Sequence, residues 1–210
     1  MQKKESLAKS IYLLLRKEII SCNIEPGEII QESMLIEKYN VSKTPIREAL
    51  NRLKQEKLVT SIPYRGYMVT PLSYKHIKDT LELREIIEVA ACRIVTERND
   101  KEDILEIEQE TKQLLLLKDY NYLDYMEWNK KFHLDMAKAT KNEKIYSTLS
   151  GIFDEIYRYL FKGIRAEKIG PRINIHLDIL NAVKSGNVQL AMDLTREHLR
   201  DSGKSLLELF

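Results

Sequence analysis

The stretch "VSKTPIREAL", Val41 to Leu50, determines how the first third of the chain folds. Ser42 precedes a run of good helix formers, and Pro45 falls within the first turn. Proline is tolerated there because the first backbone N–H groups of a helix have no intrahelical partner. The stretch therefore predicts a helix from Ser42 to about Glu56, with either Ser42 or Thr44 as its cap.

This predicted helix has one apolar face and one cationic end. The apolar face is formed by residues at helical spacing: Ile46, Ala49, Leu50 and Leu53. Lys43, Thr44 and Arg47 lie on the other side, with Lys43 and Arg47 one turn apart. A DNA-recognition helix presents its N-terminal side chains to base edges in this way. The alternative is that these cations merely solvate an exposed face.

The neighbouring segments favour the DNA-binding interpretation. Helical spacing over residues 6–22 and 31–39 predicts two preceding helices. The following stretch "LVTSIPYRGYMVTPL", residues 58–72, predicts two short strands joined by a turn, with Arg65 and Gly66 at its tip. Three helices followed by a hairpin describe a winged helix-turn-helix, whose basic tip can reach an adjacent groove or phosphate.

Every later segment has a helical pattern. Breaks at Asn, Gly and Pro residues divide it into helices at about 73–98, 101–118, 120–140, 143–165, 168–185 and 187–208. The predicted fold is therefore mainly α, with a winged helix-turn-helix that has a two-stranded wing (residues 1–72) and an all-α bundle of about six helices (residues 73–210).

Composition and charge limit the function classes. The chain is 43% hydrophobic and 31% charged, without an uncharged apolar run of about 18 residues, so we expect no membrane association. The start has no export signal, which leaves the cytoplasm as the expected location. Residues 1–72 contain 12 Lys and Arg against 8 Asp and Glu, whereas the remainder contains 22 against 24. A basic front third favours contact with a polyanion.

Three of the four histidines, His133, His176 and His198, fall on three different predicted helices of the bundle. Asn129 precedes His133 by one turn, so both side chains are expected on one helical face. Two interpretations stay open: three separate histidines, each with its own partners, or one convergent ligand site.

The stretch "EPGEIIQESMLIEKYNVSKTPIREAL" and the following "RGYMV" resemble the DNA-binding domain of the GntR family of bacterial transcription regulators. The resemblance implies an operator-facing surface, to which we assign Ser42, Lys43, Thr44, Arg47, Arg65 and Gly66, with Gly66 at the tip of the wing. Lys43 stands where the family usually has Arg. This keeps the positive charge but loses the planar guanidinium, which can donate two parallel hydrogen bonds. Asn40 and Lys57 stand at usual Gly positions.

The segments "ELREIIEVAACRIV", "NKKFHLDMAKATKN" and "HLDILNAVKSGN" resemble the FCD ligand-binding domain of the FadR subfamily. The resemblance implies a divalent metal ion, such as Zn or Ni, beneath a pocket for a small carboxylate effector. Its ligands would be Asn129, His133, His176 and His198. Asn129 replaces the commoner Asp and is the weaker ligand. Arg84 is the candidate cation for the carboxylate, and Glu88, one turn on, pairs with it or orients it.

The sequence therefore predicts a ligand-responsive transcription regulator that binds double-stranded operator DNA of two-fold symmetry as a homodimer. Two alternatives are a metal-dependent hydrolase that uses the three histidines and a regulator whose helical domain only dimerises.

Overall fold

The computed structural model describes residues 2–116, 122–163 and 173–208. The described residues divide into two compact units, which fall within the ranges Met1–Ser73 with Tyr157–Lys162 and Tyr74–Ile156 with Gly163–Phe210. The predicted mainly α fold is confirmed.

The first unit contains three helices in the predicted order, α1 (Gln2–Ile20), α2 (Glu32–Tyr39) and α3 (Lys43–Gln55). Helix α2 ends at Asn40, which takes a left-handed φ of 48°. Asn tolerates this conformation because its short polar side chain can form local hydrogen bonds. Ser42 occupies the N-cap position of α3, although its side chain makes no cap hydrogen bond within the described residues.

The sheet of the first unit has three strands, one more than the predicted wing. The strands are β1 (Ile29–Ile30), β2 (Val59–Ile62) and β3 (Gly66–Val69), in the antiparallel order β1-β3-β2. Strand β1 is too short to show a strand pattern in the sequence, and its pairing with β3 ties the α1–α2 connection to the wing.

A single apolar core holds these helices and strands together. The predicted inner face of α3 is buried completely, and it packs with residues from α1, α2 and the sheet. The buried members of this core are Ile11, Leu15, Ile19, Ile30, Leu35, Ile46, Ala49, Leu50, Leu53, Leu58, Val59 and Val69.

Lys57 has a backbone conformation that suits glycine. Its φ is 59°, and its carbonyl oxygen accepts a hydrogen bond from the hydroxyl of Thr70 at 2.6 Å. The left-handed region costs a residue with a Cβ atom about 1–2 kcal/mol. The usual glycine at this position therefore has a conformational reason, and Lys57 occupies it with some strain.

The second unit contains the six predicted bundle helices, with the last turn and a half of α7 assigned to the first unit. They are α4 (Tyr74–Arg98), α5 (Lys101–Leu116), α6 (Tyr122–Ala139), α7 (Glu143–Gly163), α8 (Ile173–Lys184) and α9 (Val188–Leu207). The predicted ends of α5 and α7 and the predicted starts of α6 and α8 fall partly outside the described residues. Within the described ranges, no helix has the length and apolar character needed to cross a bilayer.

We expect Gly66→Ala to lower the free energy of unfolding by roughly 1–3 kcal/mol. Gly66 has a φ of 115°, and an added Cβ would lie 2.4 Å from the carbonyl oxygen of Ile30. The substitution would therefore separate β1 from β3. Urea denaturation followed by circular dichroism measures the change.

Gly151→Ala is the matched control. Gly151 lies within α7, and an added Cβ would have no described heavy atom within 4 Å. This variant is expected to be neutral or more stable by about 0.5–1 kcal/mol. Equal effects of the two substitutions would contradict the proposed steric reason for Gly66.

Candidate functional site

The N-terminal end of α3 presents an exposed cationic and hydroxyl surface. The side chains of Lys43 and Arg47 are 58% and 56% exposed. Ser42 and Thr44 beside them are also exposed, whereas Pro45 is buried in the first turn. The predicted separation into an inner apolar face and an outer polar end is therefore observed, and the outer end also carries the partial positive charge of the helix terminus.

Glu32, the first residue of α2, connects the two cations of this surface, a role that the sequence reasoning missed. Its carboxylate accepts hydrogen bonds from Nε of Arg47 at 3.0 Å and lies 3.5 Å from Nζ of Lys43. The hydrogen bonds described for Arg47 engage only its Nε, so the contact orients the guanidinium without using the Nη pair that can grip a guanine. No local signal in the sequence indicates this role, because Glu32 is one of two glutamates in "PGEIIQE" and its contact with Arg47 depends on how α2 packs on α3.

Arg65 lies in the turn of the wing, whereas Gly66 lies in the strand that follows it. The turn between β2 and β3 consists of residues 63–65, in which Tyr64 and Arg65 are exposed. The family resemblance implied that Gly66 lies at the tip of the wing. In the structure, Gly66 is instead the first residue of β3. It is required there by its positive φ and by its close approach to Ile30.

The structure brings His133, His176 and His198 together. They lie on α6, α8 and α9, each is at most 4% exposed, and one nitrogen from each ring lies within 4.8 Å of the other two. The Nε2 atoms of His133 and His198 are 3.3 Å apart. The three rings therefore converge, as the interpretation of a shared site requires, and their role as metal ligands stays a prediction.

Glu88 on α4 links this histidine group to Arg84. One carboxylate oxygen of Glu88 accepts a hydrogen bond from Nε of Arg84 at 2.5 Å, and the other contacts Nδ1 of His133. Burial by itself raises the pKa of Glu88, but the nearby Arg84 and His133 outweigh it and lower the pKa to about 2. The predicted pairing of Arg84 with Glu88 is observed, and Glu88 also fixes the ring of His133.

Two of the histidines are held in the neutral state at pH 7. Burial lowers the pKa of His133, although the carboxylate of Glu88 opposes this effect. Burial, followed by repulsion from His176 and His133, lowers the pKa of His198 well below its ordinary value. Neutral imidazole is the form that binds metal ions.

Two polar atoms beside the histidines are buried without a hydrogen-bond partner among the described residues: Nη2 of Arg84 and Nδ1 of His198. The guanidinium of Arg84 lies over the ring of Phe153 on α7, 4.7 Å from its centroid. An unsatisfied buried donor on a cation costs free energy, and an added acceptor would recover it. Phe153 was not predicted, because the periodicity of α7 marks it only as a core residue.

Asn129 lies one turn before His133 on α6 and is partly buried. Its neighbour Trp128 packs edge-on against the ring of His176, with centroids 5.0 Å apart. Phe132 also contacts His176, at 4.4 Å between centroids. Aromatic side chains therefore orient the ring of His176, and the role of Asn129 as a ligand stays a prediction.

These features define a class of protein: a DNA-binding regulator with a winged helix-turn-helix and a helical domain. Residues 7–69 match the family described as bacterial regulatory proteins, gntR family, and residues 79–201 match the FCD domain. The chain belongs to the GntR family of bacterial transcription regulators, in the group that carries an FCD domain. A regulator rather than an enzyme is therefore indicated, and the hydrolase alternative is set aside.

Several known proteins are similar over nearly the whole chain. An HTH-type transcriptional regulator from an unstable DNA locus of Streptomyces ambofaciens is 27% identical, over 91% of this chain and 81% of its own length. The HTH-type transcriptional repressor RspR of Escherichia coli is 23% identical, over 96% and 89%. Among solved structures, a GntR transcriptional regulator from Rhodococcus sp. RHA1 superposes with a TM-score of 0.76 at 21% identity, covering 98% of this chain and 99% of that one.

We expect Glu88→Gln to lower the free energy of unfolding of the metal-free protein at pH 7 by about 3 kcal/mol. The substitution leaves the buried guanidinium of Arg84 without its counter-charge. Because the pKa of Glu88 is about 2 in the fold against an ordinary 4.5, the contribution is present above pH 4.5 and lost as the pH falls towards 2. The difference between wild type and variant should therefore shrink over that range in urea denaturation.

Glu127→Gln on α6 is the control, since Glu127 is exposed. Its effect should stay within about 0.5 kcal/mol. A wild-type advantage over Glu88→Gln that is independent of pH between 4.5 and 2 would contradict the assigned charge state.

Proposed function

We propose that this regulator senses a small carboxylate at a metal site in its helical unit and binds a two-fold operator as a homodimer. The observation that carries the proposal is the convergence of three buried imidazoles from three helices. Beside these rings, Nη2 of Arg84 is buried without a partner among the described residues, a cost in free energy that a bound ligand would recover.

The histidine geometry fits a divalent transition metal ion. Zinc binds imidazole nitrogens at about 2.0–2.1 Å, so two ligands at a tetrahedral site lie about 3.3–3.4 Å apart. The Nε2 atoms of His133 and His198 have this spacing, at 3.3 Å. Glu88 contacts Nδ1 of His133, and a carboxylate on the far nitrogen of a ligating imidazole orients the ring and raises its basicity. We assign the remaining ligands as His176 and Asn129.

The charge of the site favours an anionic effector. Imidazoles bind a metal ion in their neutral form, so three of them and the Asn129 amide would leave the charge of a divalent ion uncompensated, and Arg84 and Glu88 cancel each other. When bound, the ion would supply a positive centre, and expansion beyond the four protein ligands would give an effector oxygen a coordination position. Buried positive charge is stabilised by a counter-charge, so a carboxylate fits better than a neutral molecule.

Arg84 would provide the second contact for the carboxylate. Its Nη2 is buried and lacks a partner among the described residues, while Glu88 and Phe153 fix the rest of the guanidinium. Preorganisation of this kind lowers the entropic cost of binding.

On the DNA side, Lys43, Thr44 and Arg47 would contact bases and phosphates in the major groove, with Ser42 at the helix terminus. Arg65 in the wing would contact the backbone or the minor groove, and Gly66 would shape the wing without a direct contact. The two recognition helices of a homodimer would bind two half-sites related by a two-fold axis. Because the proposed operators lie on the bacterial chromosome, the protein would act in the cytoplasm.

Regulation then requires that the effector has different affinities for the DNA-bound and the free protein. A tenfold loss of operator affinity on effector binding corresponds to a coupling free energy of about 1.4 kcal/mol. The coupling is reciprocal, so operator DNA must weaken effector binding by the same factor.

Arg47→Ala should weaken binding to an operator selected from random duplex DNA by roughly 5- to 150-fold, because it removes a bidentate base contact. Arg47→Lys keeps the charge but loses the planar fork, so it should retain non-specific binding and lose selectivity. Fluorescence anisotropy with operator and scrambled duplexes measures both. Lys54→Ala, at the C-terminal end of α3, is the control and should change both affinities alike. Undiminished selectivity in both Arg47 variants would exclude α3 as the recognition helix.

His176→Ala should reduce the bound zinc or nickel from about one ion per chain to a small fraction, measured by elemental analysis after dialysis. The ring is fully buried within the histidine group, so its removal takes away one ligand. The variant should also lose any change in operator affinity caused by a panel of short mono- and dicarboxylates. His76→Ala is the matched control, since the His76 side chain is 54% exposed and pairs with Glu155 at 3.0 Å.

Two outcomes would reject parts of this proposal. Unchanged metal content in His176→Ala would reject the histidine site. The second outcome is a wild type that contains no metal, whose operator affinity no carboxylate changes, and that still binds operator as a dimer. This outcome would favour the alternative in which the helical unit only dimerises.

A further inference from the structure

Helix α4 has apolar residues on two sides. Its inner side buries residues such as Val89, Cys92 and Val95. On the other side, Leu83 and Ile86 are 45% and 61% exposed. Helical spacing continues this row with partly buried residues, giving a surface that we call the outer stripe: Leu83, Ile86, Ile87, Ala90 and Ile94. A helix that is apolar on both sides is normally covered on both sides.

The outer stripe is flanked by two opposite charges on one edge. Glu82 and Arg93 are exposed and 11 residues apart, which is about three helical turns, so their side chains project in nearly the same direction. The ion pair described for Arg93, with Glu97 one turn on, is long at 3.8 Å. Both flanking side chains are therefore available to a partner surface.

We propose that the outer stripe is the surface through which two copies of the chain pair, with their α4 helices antiparallel about a two-fold axis near Ile87. This inference rests on the proposed homodimer and assigns its interface. Residues equidistant from the axis face each other, so Glu82 lies opposite the partner subunit's Arg93, and symmetry repeats the pair. Leu83 then lies near the partner subunit's Ile94, with Ile86, Ile87 and Ala90 in the middle.

The charge pattern selects this arrangement over others. A parallel pairing would carry the charged edges of the two α4 helices to opposite sides of the interface, so neither Glu82 nor Arg93 would meet an opposite charge of the other edge. A nucleic acid would need an excess of cations, whereas this edge is balanced. An unrelated protein could cover the apolar residues, but its charges would have no reason to mirror those of α4. Self-complementarity is the property that an isologous interface requires.

The test uses sedimentation velocity of the full chain over a range of concentrations. Ile86→Arg should convert the dimer to monomer, because it places a charge at the centre of the stripe on both copies. Leu105→Arg, at a leucine 52% exposed on α5, is the control and should leave the dimer intact. Circular dichroism checks that both variants keep the wild-type helix content.

A charge exchange tests the antiparallel geometry. Glu82→Arg and Arg93→Glu should each raise the dimer dissociation constant about tenfold, since each turns two attractive pairs into repulsive ones. The double variant should restore a value within about threefold of wild type. Additive weakening in the double variant would overturn the antiparallel pairing. A dimeric Ile86→Arg would overturn the assigned surface but leave the proposed dimer intact, whereas a wild type that stays monomeric even on two-fold operator DNA would overturn both.

Discussion

The carboxylate of Glu88 is the constraint around which the helical unit is organised. It lies almost fully buried between the guanidinium of Arg84 and the imidazole of His133, and its pKa of about 2 keeps it ionised across the physiological range. Removing any one of these groups would leave an uncompensated buried charge or an unsatisfied donor, each of which is costly. The helices α4 and α6 are therefore fixed to each other at the position where the three histidines meet.

The helices could be predicted because each has a local signal. The apolar period of α3 and the position of Pro45 gave both its location and its buried face, and the same reasoning located the six helices of the bundle. The third strand could not be predicted, since β1 has two residues and exists only through its pairing with β3. Lysine disfavours a positive φ, so the left-handed conformation of Lys57 could not be predicted from its residue type and is visible only in the structure.

The histidines illustrate the limit of sequence reasoning about the site. Their helical positions were evident, but whether three rings on three helices meet depends on how the helices pack, which residue spacing does not determine. The link from Glu88 to Arg84 follows from one-turn spacing, whereas its contact with His133 joins residues 45 positions apart. Phe153 was recognisable only as a core residue, because lying beneath a guanidinium has no sequence signature.

If α3 binds DNA as proposed, the ion pair between Glu32 and Arg47 affects how the protein searches a chromosome. A negative charge at the base of the recognition helix repels phosphates as well as orienting the guanidinium, so it weakens the electrostatic attraction that every DNA sequence offers. A base edge that accepts hydrogen bonds from the Nη groups is not penalised in the same way. Because a genome offers a vast excess of incorrect sites, lower residence on these sites leaves more protein free to occupy the correct one.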